Sequence, residues 1–350
     1  MTYDHSEHLD ERFQQLMEDE DGFHSCWIVA DGTTGMMMQS MAMAEALGKD
    51  APVFRAISTP ILRVRPQLGA WPGWPLVVGK KPNFLKGRLP KLLITTGRRM
   101  AGFSIGMRRI SQGKTKTLHI QDARVPARYF DLMVVPRHDP LSKDVDKPDN
   151  VITSTGALNR LTHPIIEQAA LALPDTYREL SAKPILVMVG GRNRRYKPTR
   201  ADFIALGQRL NALSENKNAH LIIVPSARTP KQHLSALVSE LHPERTLLWD
   251  EQTDNPYPGL LGLADAVVVT SDSVNMVSEA CLTGKPVLVA ELQAETGRIA
   301  EFHKHMQAAG HTRPLSADDD FSSPVVLDEM PDIARQVKSK LVELLSKKQT

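Results

Sequence analysis

The sequence contains only two cysteines, and they lie far apart. Cys26 falls in a strand-like apolar run and Cys281 in a helix-like one, which is typical of buried thiols in a reducing compartment. No spacing of Cys and His matches a metal site. The sequence therefore predicts neither a disulfide framework nor a metal centre.

Long hydrophobic runs and a strong overall charge are also missing. No apolar stretch approaches the roughly 20 residues that cross a bilayer, and residues 1–21 are acidic and polar, unlike a secretory signal or a transit peptide. The formal net charge of the 350 residues is +3, which gives no reason to expect a nucleic-acid partner. We expect a cytoplasmic protein, or one held peripherally at the inner face of the membrane.

The chain does contain a repeated alternation of short apolar runs and amphipathic stretches. The runs are about five residues long and rich in Val, Ile and Leu, as in strands covered on both faces. The alternation occurs twice and predicts an α/β protein of two Rossmann-like, doubly wound parallel-sheet domains facing a cleft. We place an N-terminal extension at residues 1–21, the first domain at 22–172, the second at 184–330 and a C-terminal helix at 331–350.

The strongest chemical signal is the segment 264–290. A strand predicted to end at Thr270 leads into the turn Ser271–Ser273, whose side chains can cap a helix. Asp272, Asn275 and Glu279 then share one polar stripe. A helix N-terminus at the carboxyl edge of a parallel sheet favours a phosphate, and Glu279, about two turns along, could reach ribose hydroxyls. The alternative is a capped crossover helix with a solvated Glu279.

Two other predicted strand ends carry glycine or arginine. Gly190–Gly191 precedes three arginines, at positions 192, 194 and 195, and residues 226–229 include Arg228. Glycine lets a backbone approach an anion closely, and arginine binds phosphate bidentately. A tight turn with a solvated basic loop explains the first motif equally well. If the strands share a sheet, however, their ends converge and predict a cradle for negative charge.

The first half offers a candidate general base and a candidate membrane contact. His138 beside Asp139 could move a proton, although a polar loop without a catalytic role is the alternative. Residues 71–91 combine two Trp, Phe84, four Lys and Arg88, which suits an anionic membrane interface. An ordinary interdomain loop with solvated basic residues is the other explanation of this segment.

Several segments resemble the mitochondrial-fission "elongated mitochondria" family, and the resemblance covers most of residues 26–314 in order. Its most specific part is the block 270–286. The other matching positions are Trp27, Asp31–Gly32, Gly35 and Gln39; Thr96–Arg98; Asp131, Pro136 and His138–Asp139; Asn150–Ile152, Thr155–Ala157 and Asn159; Gly190–Gly191; Arg228–Pro230; and Asn255–Tyr257.

That family is similar in layout to the two-domain (GT-B-type) nucleotide-sugar glycosyltransferases. The resemblance implies that the second domain binds a nucleotide sugar as substrate, with no separate cofactor and no metal required. The residues implied or predicted to hold the nucleotide are Gly190, Gly191, Arg192, Ser226, Arg228, Thr229, Asn255, Tyr257, Ser271, Asp272, Ser273, Asn275, Met276 and Glu279.

One position departs from the pattern of the related transferases, which often carry a histidine in the glycine loop after the first strand. Here Met36 follows Gly35, so Asp31, His138 or Asp139 would have to act as the catalytic residue. Two functions therefore stay open. The first is transfer of a sugar to an unknown acceptor. The second is that of a non-catalytic adaptor, which keeps the fold and binds a partner at a membrane surface.

Overall fold

The computed structural model describes residues 3–20, 23–79, 82–143, 148–180, 182–193 and 196–346. Its contacts divide the chain into two compact units. Unit 1 comprises Met1–Arg160 and Glu329–Thr350, and unit 2 comprises Leu161–Asp328. No helix within the described residues has both the length and the hydrophobicity needed to cross a membrane.

Unit 1 contains a six-stranded parallel sheet with the order β2-β1-β3-β4-β5-β6. Four of its strands are buried along their whole length, which explains their continuous apolar sequences. The strands are β1 Cys26–Ala30, β2 Val53–Arg55, β3 Leu92–Thr96, β4 Lys116–Ile120, β5 Leu132–Pro136 and β6 Val151–Ser154.

Helices cover this sheet and include both ends of the described chain. They are α1 Tyr3–Leu16, α2 Thr34–Ala46, α3 Pro60–Val64, α4 Arg98–Ile110 and, after unit 2, α12 Met330–Ser346. Phe13 and Met17 share a buried apolar cluster with Val337 and Leu341. The terminal segments, predicted as an extension and a separate helix, thus both contribute to the core of unit 1.

Unit 2 contains a second six-stranded parallel sheet, with the order β12-β11-β10-β7-β8-β9. Its strands are β7 Lys183–Val189, β8 Ala219–Pro225, β9 Thr246–Leu248, β10 Ala266–Thr270, β11 Val287–Ala290 and β12 Arg313–Pro314. Leu186 and Met188 point to one apolar cluster, and Ile185 and Val187 to the other, as the alternation of a strand covered on both faces requires. Two doubly wound parallel sheets confirm the predicted fold class.

The helices of unit 2 are α5 His163–Leu171, α6 Asp175–Arg178, α7 Arg200–Lys217, α8 Lys231–Val238, α9 Tyr257–Leu263, α10 Val274–Cys281 and α11 Arg298–Ala308. Helix α5 packs closely on α9, because a Cβ at Gly259 would lie 2.5 Å from the carbonyl oxygen of Ala169. The compact units therefore divide at Arg160, whereas the sequence placed residues up to 172 in the first domain.

Candidate functional site

The site begins with three adjacent strand ends in unit 2. Strands β10, β7 and β8 are neighbours in the sheet and run parallel. Their carboxyl ends therefore lie side by side, and the loops at residues 190–193, 226–229 and 271–273 meet at one edge. This convergence is the arrangement that the sequence predicted for these loops.

Asp272 ties the three loops together. Its Oδ2 accepts a hydrogen bond from the Gly191 amide (3.2 Å) and pairs with Arg228 Nη2 (2.9 Å), while its Oδ1 accepts from Thr270 Oγ1 (2.7 Å). Thr270 Oγ1 in turn accepts from the Gly190 amide (2.7 Å). The Asp272 side chain is fully buried. It therefore positions the loops, whereas the sequence analysis grouped Asp272 with the residues predicted to hold the nucleotide.

The two glycines are needed for this close contact between loops. A Cβ at Gly190 would lie 1.9 Å from Asp272 Oδ1, and a Cβ at Gly191 would lie 2.0 Å from the carbonyl oxygen of Arg228. The sequence analysis predicted that these glycines allow an anionic ligand to approach the backbone closely. In the structure the group that approaches Gly190 is the chain's own carboxylate. Arg192, which follows, is exposed, whereas Arg194 and Arg195 lie outside the described residues.

Thr229 joins the ends of β7 and β8. Its hydroxyl lies 2.8 Å from the carbonyl oxygens of Val189 and Gly190, to which it donates, and it accepts from the Ser226 amide (3.0 Å). Thr229 is therefore a positioning residue, like Asp272. The Arg228 side chain remains 39% exposed, and because a guanidinium carries five N–H groups, it keeps donors beyond the one that meets Asp272.

A cavity of about 600 Å³ opens at the same edge of the sheet. This volume lies within the range of small-molecule sites. Five predicted residues line it: Ser226, Asn255, Tyr257, Met276 and Glu279. The sequence did not single out the remaining wall, formed by Met188, Val224, Pro225, Ala227, Trp249, Glu251, Thr253 and Asp254. Trp249 could have been found, because it directly follows the short apolar strand β9.

Glu279 is the main titratable group of the cavity. The Tyr257 hydroxyl donates to Glu279 Oε2, and the Tyr257 amide donates to Asn255 Oδ1 (3.1 Å). Burial raises the pKa of Glu279 to about 7, against the opposing effect of the Tyr257 hydrogen bond. Burial and the neighbouring carboxylate raise the pKa of Tyr257 well above its usual value. The Glu279 carboxyl can therefore gain or lose a proton near neutrality.

The N-terminus of α10 separates two environments. Ser273 caps the helix by accepting from the Met276 amide (3.4 Å), and Met276 itself lines the cavity. Ser271 instead donates to Glu295 Oε1 (2.9 Å), and its carbonyl accepts from His303 Nε2 (2.7 Å). Burial raises the pKa of Glu295 to about 7, although the Ser271 hydrogen bond opposes the rise.

The sequence missed Glu295 and His303, which come after β11. The available signal was positional, since β11 adjoins β10 and its end lies at the same edge of the sheet. Asn275 lies on α10 and is partly buried. The structure thus places the predicted loops at one edge of the unit 2 sheet, but it gives their residues two kinds of role. Some line the cavity and others fix the loops.

The three predicted catalytic residues lie in unit 1 and follow different strands. Asp31 comes after β1, whereas His138 and Asp139 come after β5, and β3 and β4 run between those two strands. At the usual spacing of strands the two positions are about 14 Å apart. Asp139 is buried and accepts from the Asp122 amide (3.2 Å). The structure therefore does not gather these residues into one cluster.

Asp31 has the properties of a fixed anion. Its Oδ1 accepts from the Thr33 amide (3.0 Å), and its Oδ2 pairs with Arg99 Nη1 (3.2 Å). Burial opposes ionisation, but the Thr33 hydrogen bonds and the Arg99 pair together hold the pKa of Asp31 below its usual value. A general base works best with a pKa near the operating pH, so Asp31 is poorly suited to that role.

The architecture of two Rossmann-like units defines the fold class, which is two-domain and GT-B-like. A Listeria monocytogenes protein described as a UDP-N-acetylglucosamine 2-epimerase has a similar fold, with a TM-score of 0.53 and 14% identity, over 91% of this chain and 97% of that one. Staphylococcus aureus MnaA, whose structure contains UDP, is similar with a TM-score of 0.50 and 14% identity, over 92% and 91% of the two chains.

Sequence comparison then gives the family. Residues 34–341 match the family model of mitochondrial fission ELM1, and the chain belongs to this family. Mitochondrial fission protein ELM1 of Arabidopsis thaliana is 29% identical over 276 residues, which cover 72% of this chain and 64% of the plant protein. The chain thus spans less than two thirds of that relative. An uncharacterized Rickettsia prowazekii protein, RP120, is 27% identical over 297 residues, covering 75% of this chain and 82% of the relative.

Proposed function

We propose that unit 2 binds a nucleoside diphosphate sugar and that the protein transfers the sugar to an acceptor. The observation that carries this proposal is the cavity at the carboxyl edge of the sheet, which is of ligand size and is lined by Met276 and Glu279 of α10. Ligands of open α/β sheets bind at this edge. The UDP bound to the S. aureus protein of similar fold makes uridine nucleotides the first ligands to test.

Different parts of the cavity suit different parts of such a ligand. Met188, Val224 and Trp249 offer an apolar wall for a base. The Glu279 carboxylate is an acceptor for ribose hydroxyls. The N-terminus of α10 and the remaining donors of Arg228 suit the diphosphate, and in the transfer step they would stabilise the departing nucleoside diphosphate.

The acceptor needs a base, and His138 is the proposed one. Of the residues predicted in unit 1, Asp139 is buried against the Asp122 amide, and Asp31 is paired with Arg99. Histidine is the side chain that most often transfers a proton in general acid–base catalysis. In the transfer step the base would take the proton of an acceptor hydroxyl as the sugar carbon bonds to that oxygen and the bond to the diphosphate breaks.

Ligand binding is tested by thermal shift and calorimetry with UDP, GDP, CDP and their sugars. A ligand at 100 times its Kd stabilises the folded state by about 2.7 kcal/mol, so a bound nucleotide should raise the melting temperature clearly. Glu279→Ala should weaken binding at least tenfold. Glu244→Ala is the matched control, because Glu244 is exposed and precedes β9 at the opposite edge of the sheet. If no nucleotide stabilises the wild type at millimolar concentration, the proposal is wrong.

Turnover separates the enzyme from the adaptor. A transferase releases the nucleoside diphosphate from its sugar donor when an acceptor is present, and His138→Ala should slow that release without changing nucleotide affinity. Stoichiometric binding of a sugar nucleotide with no release, across a panel of acceptors, would favour the adaptor that retains the fold and the cavity.

A further inference from the structure

The near-neutral total charge of the chain conceals a strongly basic segment. Residues 51–121 contain fourteen Lys and Arg and no Asp or Glu. Because the whole chain carries +3, the remaining residues together carry −11. Lys80 and Lys81 of this segment lie outside the described residues. A sequence of 71 residues without one acid marks a surface that is suited to an anionic partner.

Within this segment, residues 57–78 fold into a clip. Ser58 pairs antiparallel with Val77, the Val78 amide donates to the Ile57 carbonyl (2.9 Å), and Thr59 Oγ1 donates to the Pro75 carbonyl (3.1 Å). Helix α3 and a 3-10 turn at Pro66–Ala70 lie between the paired ends. Side chains that are separated by up to twenty residues in sequence are thereby held on one small structure.

The 57–78 clip concentrates exposed apolar side chains. Five of the twelve large hydrophobic residues that are exposed in the described part of the chain belong to it: Ile57, Val64, Trp71, Trp74 and Val78. Ile57 and Val78 stand opposite each other, so their side chains share one face, and they are 56% and 55% exposed. Trp71 is 64% exposed. Clustered exposed apolar groups of this kind mark an interaction surface.

The exposure does not arise from loose packing, because the clip is pressed onto α4. A Cβ at Gly102 would lie 2.7 Å from Leu62 Cβ, and a Cβ at Gly106 would lie 2.1 Å from Leu76 Cδ2. Backbone and side chains are therefore already in contact on the inner side of the clip.

One exposed cation lies within the clip and another lies just before it in the sequence. Arg55 and Arg65 are exposed, and no carboxylate of the described residues forms an ion pair with either of them. Other basic residues of the segment do have acidic partners, such as Asp31 for Arg99 and Asp131 for Arg108, but those acids come from outside residues 51–121. The positive charge near the clip is thus left for an external partner.

We propose that the 57–78 clip docks unit 1 onto an anionic lipid surface. Trp71 and Trp74 would enter the headgroup region, and Arg55 and Arg65 would contact lipid phosphates. Amphipathic aromatic rings together with basic residues are what such an interface selects. Exposed tryptophan side chains are characteristic of the membrane–water interface, and this favours a lipid surface over an acidic protein.

Flotation of the full chain with vesicles tests the proposal. The wild type should float with vesicles that contain phosphatidylglycerol and remain below with pure phosphatidylcholine. Trp71→Ala/Trp74→Ala should reduce the partition coefficient about tenfold per tryptophan, and Arg55→Glu/Arg65→Glu should reduce it at least fivefold per position. Matched controls in unit 2, the exposed Leu171→Ala and Lys231→Glu/Lys304→Glu, should float like the wild type.

Several results would overturn the proposal. They are no flotation of the wild type, equal flotation with neutral vesicles, and equal losses in the unit 2 controls. Arginine-dependent binding to soluble polyglutamate without flotation would assign the surface to an acidic protein instead. The altered residues are exposed, so the variants should keep the wild-type melting temperature. Nucleotide stabilisation should also be unchanged in the tryptophan variant, so failure here is distinguishable from failure of the proposed function.

Discussion

Replacing Glu279 by glutamine tests whether the cavity carboxylate destabilises the fold that holds it. Glutamine keeps the size of the side chain and an oxygen that can accept from the Tyr257 hydroxyl, but it cannot ionise. In the wild type, burial raises the pKa of Glu279 from 4.5 to about 7. The ionised form is therefore unfavourable in the folded state relative to the unfolded chain.

The size and pH dependence of the effect follow from this rise. Between pH 4.5 and 7 the folded state binds more protons at Glu279 than the unfolded state, so stability falls as the pH rises through this window. One pKa unit corresponds to about 1.4 kcal/mol, and the carboxylate therefore lowers stability by about 3 kcal/mol at pH 8. Glu279→Gln should recover up to this amount at pH 8 and less than about 1 kcal/mol at pH 5.

Scanning calorimetry at pH 5 and pH 8 provides the measurement. For a unit of the size of Leu161–Asp328, about 3 kcal/mol corresponds to a rise of about 6–12 °C in the melting temperature. The variant must be compared with the wild type at each pH, because Glu295 also titrates near 7. Glu244→Gln, on the exposed opposite edge, should change neither transition. Equal stabilisation at both pH values, or a loss at pH 8, would refute the reasoning.

Three further substitutions test the positioning roles. Gly191→Ala places a Cβ 2.0 Å from the Arg228 carbonyl oxygen and should lower the stability of unit 2 by about 1–3 kcal/mol in urea denaturation; wild-type stability would show that the loops can separate. Asp272→Asn turns a buried amide donor toward Arg228 and should lower the stability of unit 2 by about 3 kcal/mol. Faster hydrogen exchange of the Gly191 amide would be the local signature of this loss. Glu329 accepts hydrogen bonds from the amides of residues 155–156 at 2.7 and 2.8 Å. Glu329→Gln should accelerate hydrogen exchange of those two amides and lower stability by about 1 kcal/mol. Unchanged exchange would contradict this anchoring role.

Most of the fold could be predicted because the strands are covered on both faces. Strands Leu92–Thr96 and Ala266–Thr270 are short apolar runs of the predicted kind, since a buried parallel strand is apolar along its whole length. Strand β12 has only two residues and no such run. Helix α4 includes Gly102 and Gly106, which lower helix propensity. These glycines are explained by tertiary packing, because the 57–78 clip packs against them.

The location of the site could also be predicted, but the direction of its side chains could not. Parallel strand ends always meet at one edge of the sheet, so the sequence alone placed the loops correctly. A polar stripe on a helix does not tell whether each member faces solvent or the protein. Asp272 turns inward because Gly191 and Arg228, which are 81 and 44 residues away in the chain, offer it donors.

Asp272 and Glu279, the two acids that follow β10, differ in the number of hydrogen-bond donors around them. This difference separates the structural role of Asp272 from the ligand-binding role proposed for Glu279. Asp272 is surrounded by donors from Thr270, Gly191 and Arg228, so its burial is compensated within the protein. Within the described residues, Glu279 accepts one hydrogen bond, from Tyr257, and remains difficult to ionise. Ligand hydroxyls would supply the missing donors and stabilise the carboxylate, so Glu279 would release its proton. Nucleotide binding would then be coupled to pH at the position where the fold leaves a charge uncompensated.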